Sequence, residues 1–143
     1  MIARLFGKNK RAKERDGRPL VAVVDDEPDL CALLRAALEN RGYAVATAFD
    51  GEAGLALIRQ RRPSLIVLDI KMPKINGYQV LAQIQQDAEL ARIPVFVITS
   101  LDEEKEFSEE EWAKRLNVAR FVAKPFDPET VAAAAAEVAP IGR

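Results

Sequence analysis

Residues 20–26 read LVAVVDD, five apolar residues followed at once by two carboxylates. An unbroken apolar run, rather than an alternating one, predicts a strand covered on both faces, as in a parallel sheet sandwiched by helices. Three later runs repeat the design: residues 65–68 (LIVL) end in Asp69, residues 95–98 (VFVI) in Thr99 and residues 121–123 (FVA) in Lys124. Polar groups at the carboxyl ends of such strands gather in one crevice, where the strand order reverses. Asp25, Asp26, Asp69, Thr99 and Lys124 therefore meet there, although they are far apart in sequence. Three carboxylates, a hydroxyl and an ammonium suit a hard divalent cation and a phosphoryl group.

The segments between the runs carry helical spacing. Pro28 opens a helix whose Leu30, Leu33, Leu34, Ala37 and Leu38 share a face, and Gly42 suits the left-handed position after its end. Residues 43–49 read as a second strand, and Asp50-Gly51 turns into a helix through Gly54, Leu55 and Ile58 that Pro63 ends. Gly54 reads as close helix–sheet packing. A third helix over residues 78–87 buries Leu81 and Ile84, and Pro94 introduces the strand before Thr99. Ser108 with three glutamates after it is a helix start, because a hydroxyl cap and early negative charge both suit a helix N-terminus. Trp112 and Leu116 are expected to form that helix's buried stripe, and a last helix runs over residues 128–138.

A chain of 143 residues, about half of them apolar, suffices for one domain with a single core. Three segments are expected: a basic extension over residues 1–17, a folded domain over 18–139 and a tail over 140–143. Residues 1–18 hold seven Lys/Arg against two Asp/Glu, while the remainder holds fourteen against twenty. The domain is thus acidic, and no basic, aromatic-laced face for nucleic acid is expected. For the extension, disorder, a short docked helix and a membrane-surface anchor stay open. No apolar stretch nears the ~20 residues a membrane span needs, and the N-terminus lacks a secretory apolar centre. Cys31 is the single cysteine, which excludes an intramolecular disulfide, suits a reducing cytoplasm and reads as a small core residue. The chain contains no histidine, so it cannot carry a phosphoryl group as phosphohistidine and must receive one from another molecule.

Together, Asp25-Asp26, Asp69, Thr99, Phe121 and Lys124-Pro125, with Met72-Pro73 and Gly77 after the acceptor, resemble the receiver domain of two-component response regulators. The resemblance covers nearly everything past the extension. It implies a doubly wound, flavodoxin-like five-stranded parallel sheet of order 2-1-3-4-5 with helices on both faces. It also implies a receiver standing alone, without an output domain, that takes its phosphoryl group on Asp69 from a histidine kinase or phosphotransfer protein. The family's metal ligands fall on Asp26, Asp69 and the backbone carbonyl of Lys71, with Asp25 acting mostly through water, and Mg²⁺ is the implied ion. Thr99 and Lys124 would face the phosphoryl oxygens, a cis bond is implied before Pro125, and Phe121 would be the switch aromatic that swings inward when Thr99 is drawn to the phosphoryl group. The implied output surface, for a downstream protein not legible in sequence, is the Trp112 helix, the Phe121 strand and the final helix. Lys71 and Leu101 flank the family's path for attacking water, which implies a long-lived acyl phosphate; as plain exposed loop residues they are equally well explained.

Rival readings are weighed on the same residues. Asp25-Asp26 could cap the helix at Pro28, and Thr99, Phe121 or Lys124 taken singly are ordinary strand-end, core and surface residues. An aspartyl-phosphate phosphatase would place a second Asp where Lys71 stands. A flavin carrier would want a Ser/Thr/Gly-rich phosphate loop in place of DDEPD. A receiver-like scaffold working without phosphorylation has no need of an intact acidic site.

Overall fold

A computed structural model describes residues 17–72, 75–100 and 107–142. Strands β1 (Leu20–Val24), β2 (Ala44–Ala48), β3 (Leu65–Asp69), β4 (Val95–Ser100) and β5 (Arg120–Lys124) form one sheet of order β2-β1-β3-β4-β5. Every pairing is parallel. The helices are α1 (Pro28–Asn40), α2 (Gly51–Arg61), α3 (Gly77–Gln86), α4 (Glu109–Leu116) and α5 (Pro128–Val138). All residues of β1 and β3 are buried, as their unbroken apolar runs predict.

Alternate strand residues feed two separate cores. Val21, Val23, Val67 and Ile98 pack with Leu34 and Leu38 of α1 and Val131 and Ala135 of α5. Ala22, Val24, Leu68 and Val97 pack with Leu55 and Ile58 of α2 and Val80, Leu81 and Ile84 of α3. A side chain at Gly54 would put its Cβ 2.6 Å from Val24 Cγ1, so the close packing read there is real. Gly42 takes φ 102° after α1, the conformation a β-carbon disfavours.

Several expectations need correction. Leu33 is exposed, because the buried stripe of α1 centres on Cys31, Leu34 and Leu38, and Leu33 lies a hundred degrees round from Leu34. The second strand is shorter than residues 43–49. Phe49 is exposed beyond it, and Tyr43 before it is fully buried with its hydroxyl donating to the Ala139 carbonyl at 2.7 Å. The third helix begins one residue early, at Gly77, where Asn76 and Gln79 form a reciprocal capping box. A short 3₁₀ turn, Leu90–Arg92, precedes Pro94, and the sequence pattern does not signal it. Helix α4 starts at its expected Ser108 cap but buries none of its residues fully; Trp112 and Leu116 are half-covered. It packs over β5, the edge strand of the sheet.

Candidate functional site

The carboxyl ends of β1, β3, β4 and β5 bring together the residues that their sequence positions predicted. Oxygens of Asp25, Asp26 and Asp69 lie within 4.8 Å of one another. Asp25 and Asp69 are almost wholly buried, while Asp26 is open to solvent. Lys124 reaches this group from β5: its Nζ lies 3.1 Å from Asp25 Oδ2, 3.4 Å from Asp69 Oδ2 and 3.2 Å from Glu27 Oε2. The Lys124–Pro125 bond is cis.

Backbone donors hold the two buried carboxylates in place. Asp25 Oδ1 accepts from the Glu27 amide at 2.9 Å, and Asp69 Oδ1 from the Lys71 amide at 3.2 Å. The β3–α3 connection is clamped where it leaves Asp69. The Gly77 amide donates to the Ile70 carbonyl at 2.8 Å, and a β-carbon on Gly77 would sit 2.3 Å from the Asp69 carbonyl oxygen. Any larger residue there would push the end of β3 aside. The capping reading of Asp25-Asp26 does not hold: Glu27 occupies the N-cap of α1 with no side-chain cap bond, so neither carboxylate is used that way.

This concentration of buried charge is electrostatically strained. Burial, with the charge of Asp25 added, pushes the Asp69 carboxyl up to about 7, against the opposing pull of Lys124. Burial raises Asp25 as well. For Lys124 burial works against the charge, but Asp69, Asp25 and Glu27 outweigh it and the ammonium is held above its ordinary value. Cys31 lies just behind the pocket, its thiol donating to the Asp25 carbonyl at 3.3 Å, and burial pushes it up to about 11. A thiol so reluctant to ionise is a core residue, not a redox group.

Thr99, at the end of β4, is buried, and its hydroxyl has no hydrogen-bond partner among the described residues. A buried hydroxyl without a partner is costly unless something else occupies it. Phe121 is also already buried, so the inward swing expected of it is not needed from this conformation. Trp112 stacks on it with centroids 5.6 Å apart at 18°. Phe107 meets Trp112 edge-on, and the Arg115 guanidinium lies 3.8 Å from the Phe107 centroid. Leu101 and Pro73 lie outside the described residues; Lys71 is exposed.

Four participants are not singled out by the sequence. Glu27 was read only as part of an acidic stretch, although its place directly after the acidic pair was a signal. Phe107 and Arg115 complete the stack over Trp112, and their spacing of five and three from it is the only trace the sequence offers. Glu109 accepts from the Ala123 amide at 2.8 Å, linking the first turn of α4 to β5 beside Lys124.

A doubly wound parallel sheet with an acidic triad and a lysine at its strand ends is the architecture of a phosphoryl-accepting signalling domain. The sequence matches the response regulator receiver domain over residues 21–136, and the chain belongs to that family. It is 39% identical to protein PilH of Pseudomonas aeruginosa over 111 residues, covering 78% of this chain and 89% of PilH. It is 37% identical to the alkaline phosphatase synthesis transcriptional regulatory protein PhoP of Bacillus subtilis, again over 78% of this chain but only 44% of that protein. The chemotaxis protein CheY4 of Vibrio cholerae superposes with a TM-score of 0.71 at 27% identity, over 85% of this chain and 98% of CheY4. Receiver domains take phosphoryl groups from histidine kinases or phosphotransfer proteins and bind Mg²⁺ in an acidic pocket. The chain is accordingly a response regulator receiver that works as a phosphoryl-accepting signalling protein, and the phosphatase, flavin-carrier and scaffold readings are not favoured. Among the described residues no helix is long and apolar enough to cross a membrane.

Proposed function

We propose that Asp69 is the phospho-acceptor. The observation that carries this reading is a buried carboxylate with two further carboxylates beside it and the Lys124 ammonium at 3.4 Å. A carboxylate oxygen of Asp69 attacks phosphorus in line, the new O–P bond forms as the donor's N–P bond to a phosphohistidine breaks, and the departing imidazole nitrogen keeps the electron pair and is protonated from solvent. Lys124 faces the charge on the equatorial oxygens, and the hydroxyl of Thr99 gains in the phosphoryl group the partner it lacks among the described residues.

The donor set fits Mg²⁺. All its members are hard oxygens, and burial, with the charge of Asp25 added, holds the Asp69 carboxyl up at about 7, a strain that a divalent cation would relieve. Asp26, Asp69 and the Lys71 carbonyl would hold the ion, with Asp25 beside it, and the ion would offset carboxylate and phosphoryl charge together. The working unit is residues 18–139, acting in the cytoplasm. Its switch runs from Thr99 through Phe121 to Trp112, and α4, β5 and α5 present the result to a partner protein.

Intact mass after incubation with acetyl phosphate or beryllofluoride tests this, with Mg²⁺ present or chelated. Wild type should gain one adduct only with the metal, and Asp69→Ala none. An adduct on Asp69→Ala would remove the assignment.

A further inference from the structure

We propose that Glu27 is a positioning residue for Lys124: its carboxylate occupies one of the lysine's three N–H donors until the phosphoryl group claims it. This rests on the reading of Asp69 as phospho-acceptor. A lysine ammonium has three donors and no acceptor. Here Nζ donates to Glu27 Oε2 at 3.2 Å and to Asp69 Oδ2 at 3.4 Å, while Asp25 Oδ2, 3.1 Å away, is an ion-pair partner without a hydrogen bond, so two of the three donors are already taken. A phosphoryl oxygen binding at Lys124 competes with these partners, and one of them yields first.

The geometry identifies which one. Asp25 and Asp69 are buried and held by the amides of Glu27 and Lys71, so neither can withdraw. The Glu27 side chain is 60% exposed and can turn into water at little cost. Its backbone is fixed at the pocket rim by the bond to Asp25 Oδ1, and its carboxylate caps nothing in α1. It therefore stands at the mouth of the pocket with the Lys124 ion pair as its use. A small phosphodonor approaching Asp69 competes with this carboxylate for the lysine.

The experiment is phosphorylation by acetyl phosphate at saturating Mg²⁺, with donor concentration varied, for wild type, Glu27→Gln, Glu27→Asp and Asp69→Ala. Glu27→Gln should lower the donor concentration giving half-maximal rate by about two- to fivefold, as expected for losing an exposed ion pair, and leave the maximal rate unchanged. Glu27→Asp keeps the charge but is one methylene short of the ammonium, so it should behave like Glu27→Gln. A half-point unchanged or raised in Glu27→Gln overturns the proposal. So does a wild-type half-point in Glu27→Asp, which would show general repulsion rather than a bond to Lys124. Asp69→Ala separates the two claims: no adduct there with an unchanged Glu27→Gln removes only the role of Glu27, whereas an adduct there removes the phospho-acceptor itself.

Discussion

At the ends of β1 and β3, charged groups are buried and tied to the backbone, and the strands that carry them are packed on both faces. At the other edge, α4 lies over β5 with no residue fully buried, held by the Trp112–Phe121 stack, its Ser108 cap and the Glu109–Ala123 bond. The phospho-acceptor role proposed for Asp69 needs the first kind of construction, because a nucleophile and its counter-charges must not wander. The output role proposed for α4 needs the second, since an element with no fully buried residue is the one a modest change in free energy can shift. Thr99 and Phe121, on adjacent strands, are where the two regions meet.

The largest effect expected is on the charged region. Asp69 is raised to about 7 in the folded protein against 3.8 for the free side chain, and Asp25 is raised in the same direction. Between those values the folded state holds protons that the unfolded state has released, so metal-free stability should fall as pH rises from about 4 to 7. The contribution from Asp69 alone is up to about 4 kcal/mol. Lys124, raised above its ordinary value, contributes stability throughout this window and loses it only at far higher pH. Urea unfolding of wild type and Asp69→Asn at pH 5 and 7.5 isolates the contribution, and Mg²⁺ should stabilise wild type more at pH 7.5 than at pH 5. A difference between the two proteins that does not change with pH would mean the pocket is far better solvated than its burial indicates.

Next in size is the contrast in packing. Leu34→Ala, in the core behind the pocket, should cost about 3 kcal/mol, whereas Trp112→Ala should cost about half as much or less, despite removing a larger side chain. Equal losses in denaturant unfolding would show that α4 is anchored as firmly as α1, and the comparison would break.

The smallest stability effect belongs to the junction. Thr99→Val replaces a hydroxyl that has no partner among the described residues with a methyl of similar size, so stability should change by less than about 1 kcal/mol. The fluorescence response of Trp112, the chain's single tryptophan, to beryllofluoride should nevertheless be largely lost. A full response would place the coupling on a route that bypasses Thr99.

Each apolar run is continuous and ends in a polar residue, and that local pattern was enough to read the sheet, its order once the resemblance was recognised, and the pocket residues Asp25, Asp26, Asp69, Thr99 and Lys124. Such features are legible because burial on both faces dictates composition residue by residue. Leu33 shows the limit: two leucines one position apart fit the same helical stripe in sequence, and only the position of the neighbouring helix and sheet selects Leu34. Trp112 and Leu116 were read as buried because the pattern records which side of α4 is apolar, not how much floor β5 provides at a sheet edge. That Lys124 is shared with Glu27, and that Phe121 already lies inside under Trp112, depends on side chains 97 and nine residues apart reaching one another. The sequence determined the strand pattern and the chemistry at the strand ends through local burial. The distribution of one ammonium among three carboxylates, and the resting place of the aromatic, were decided only when the folded chain set those distances.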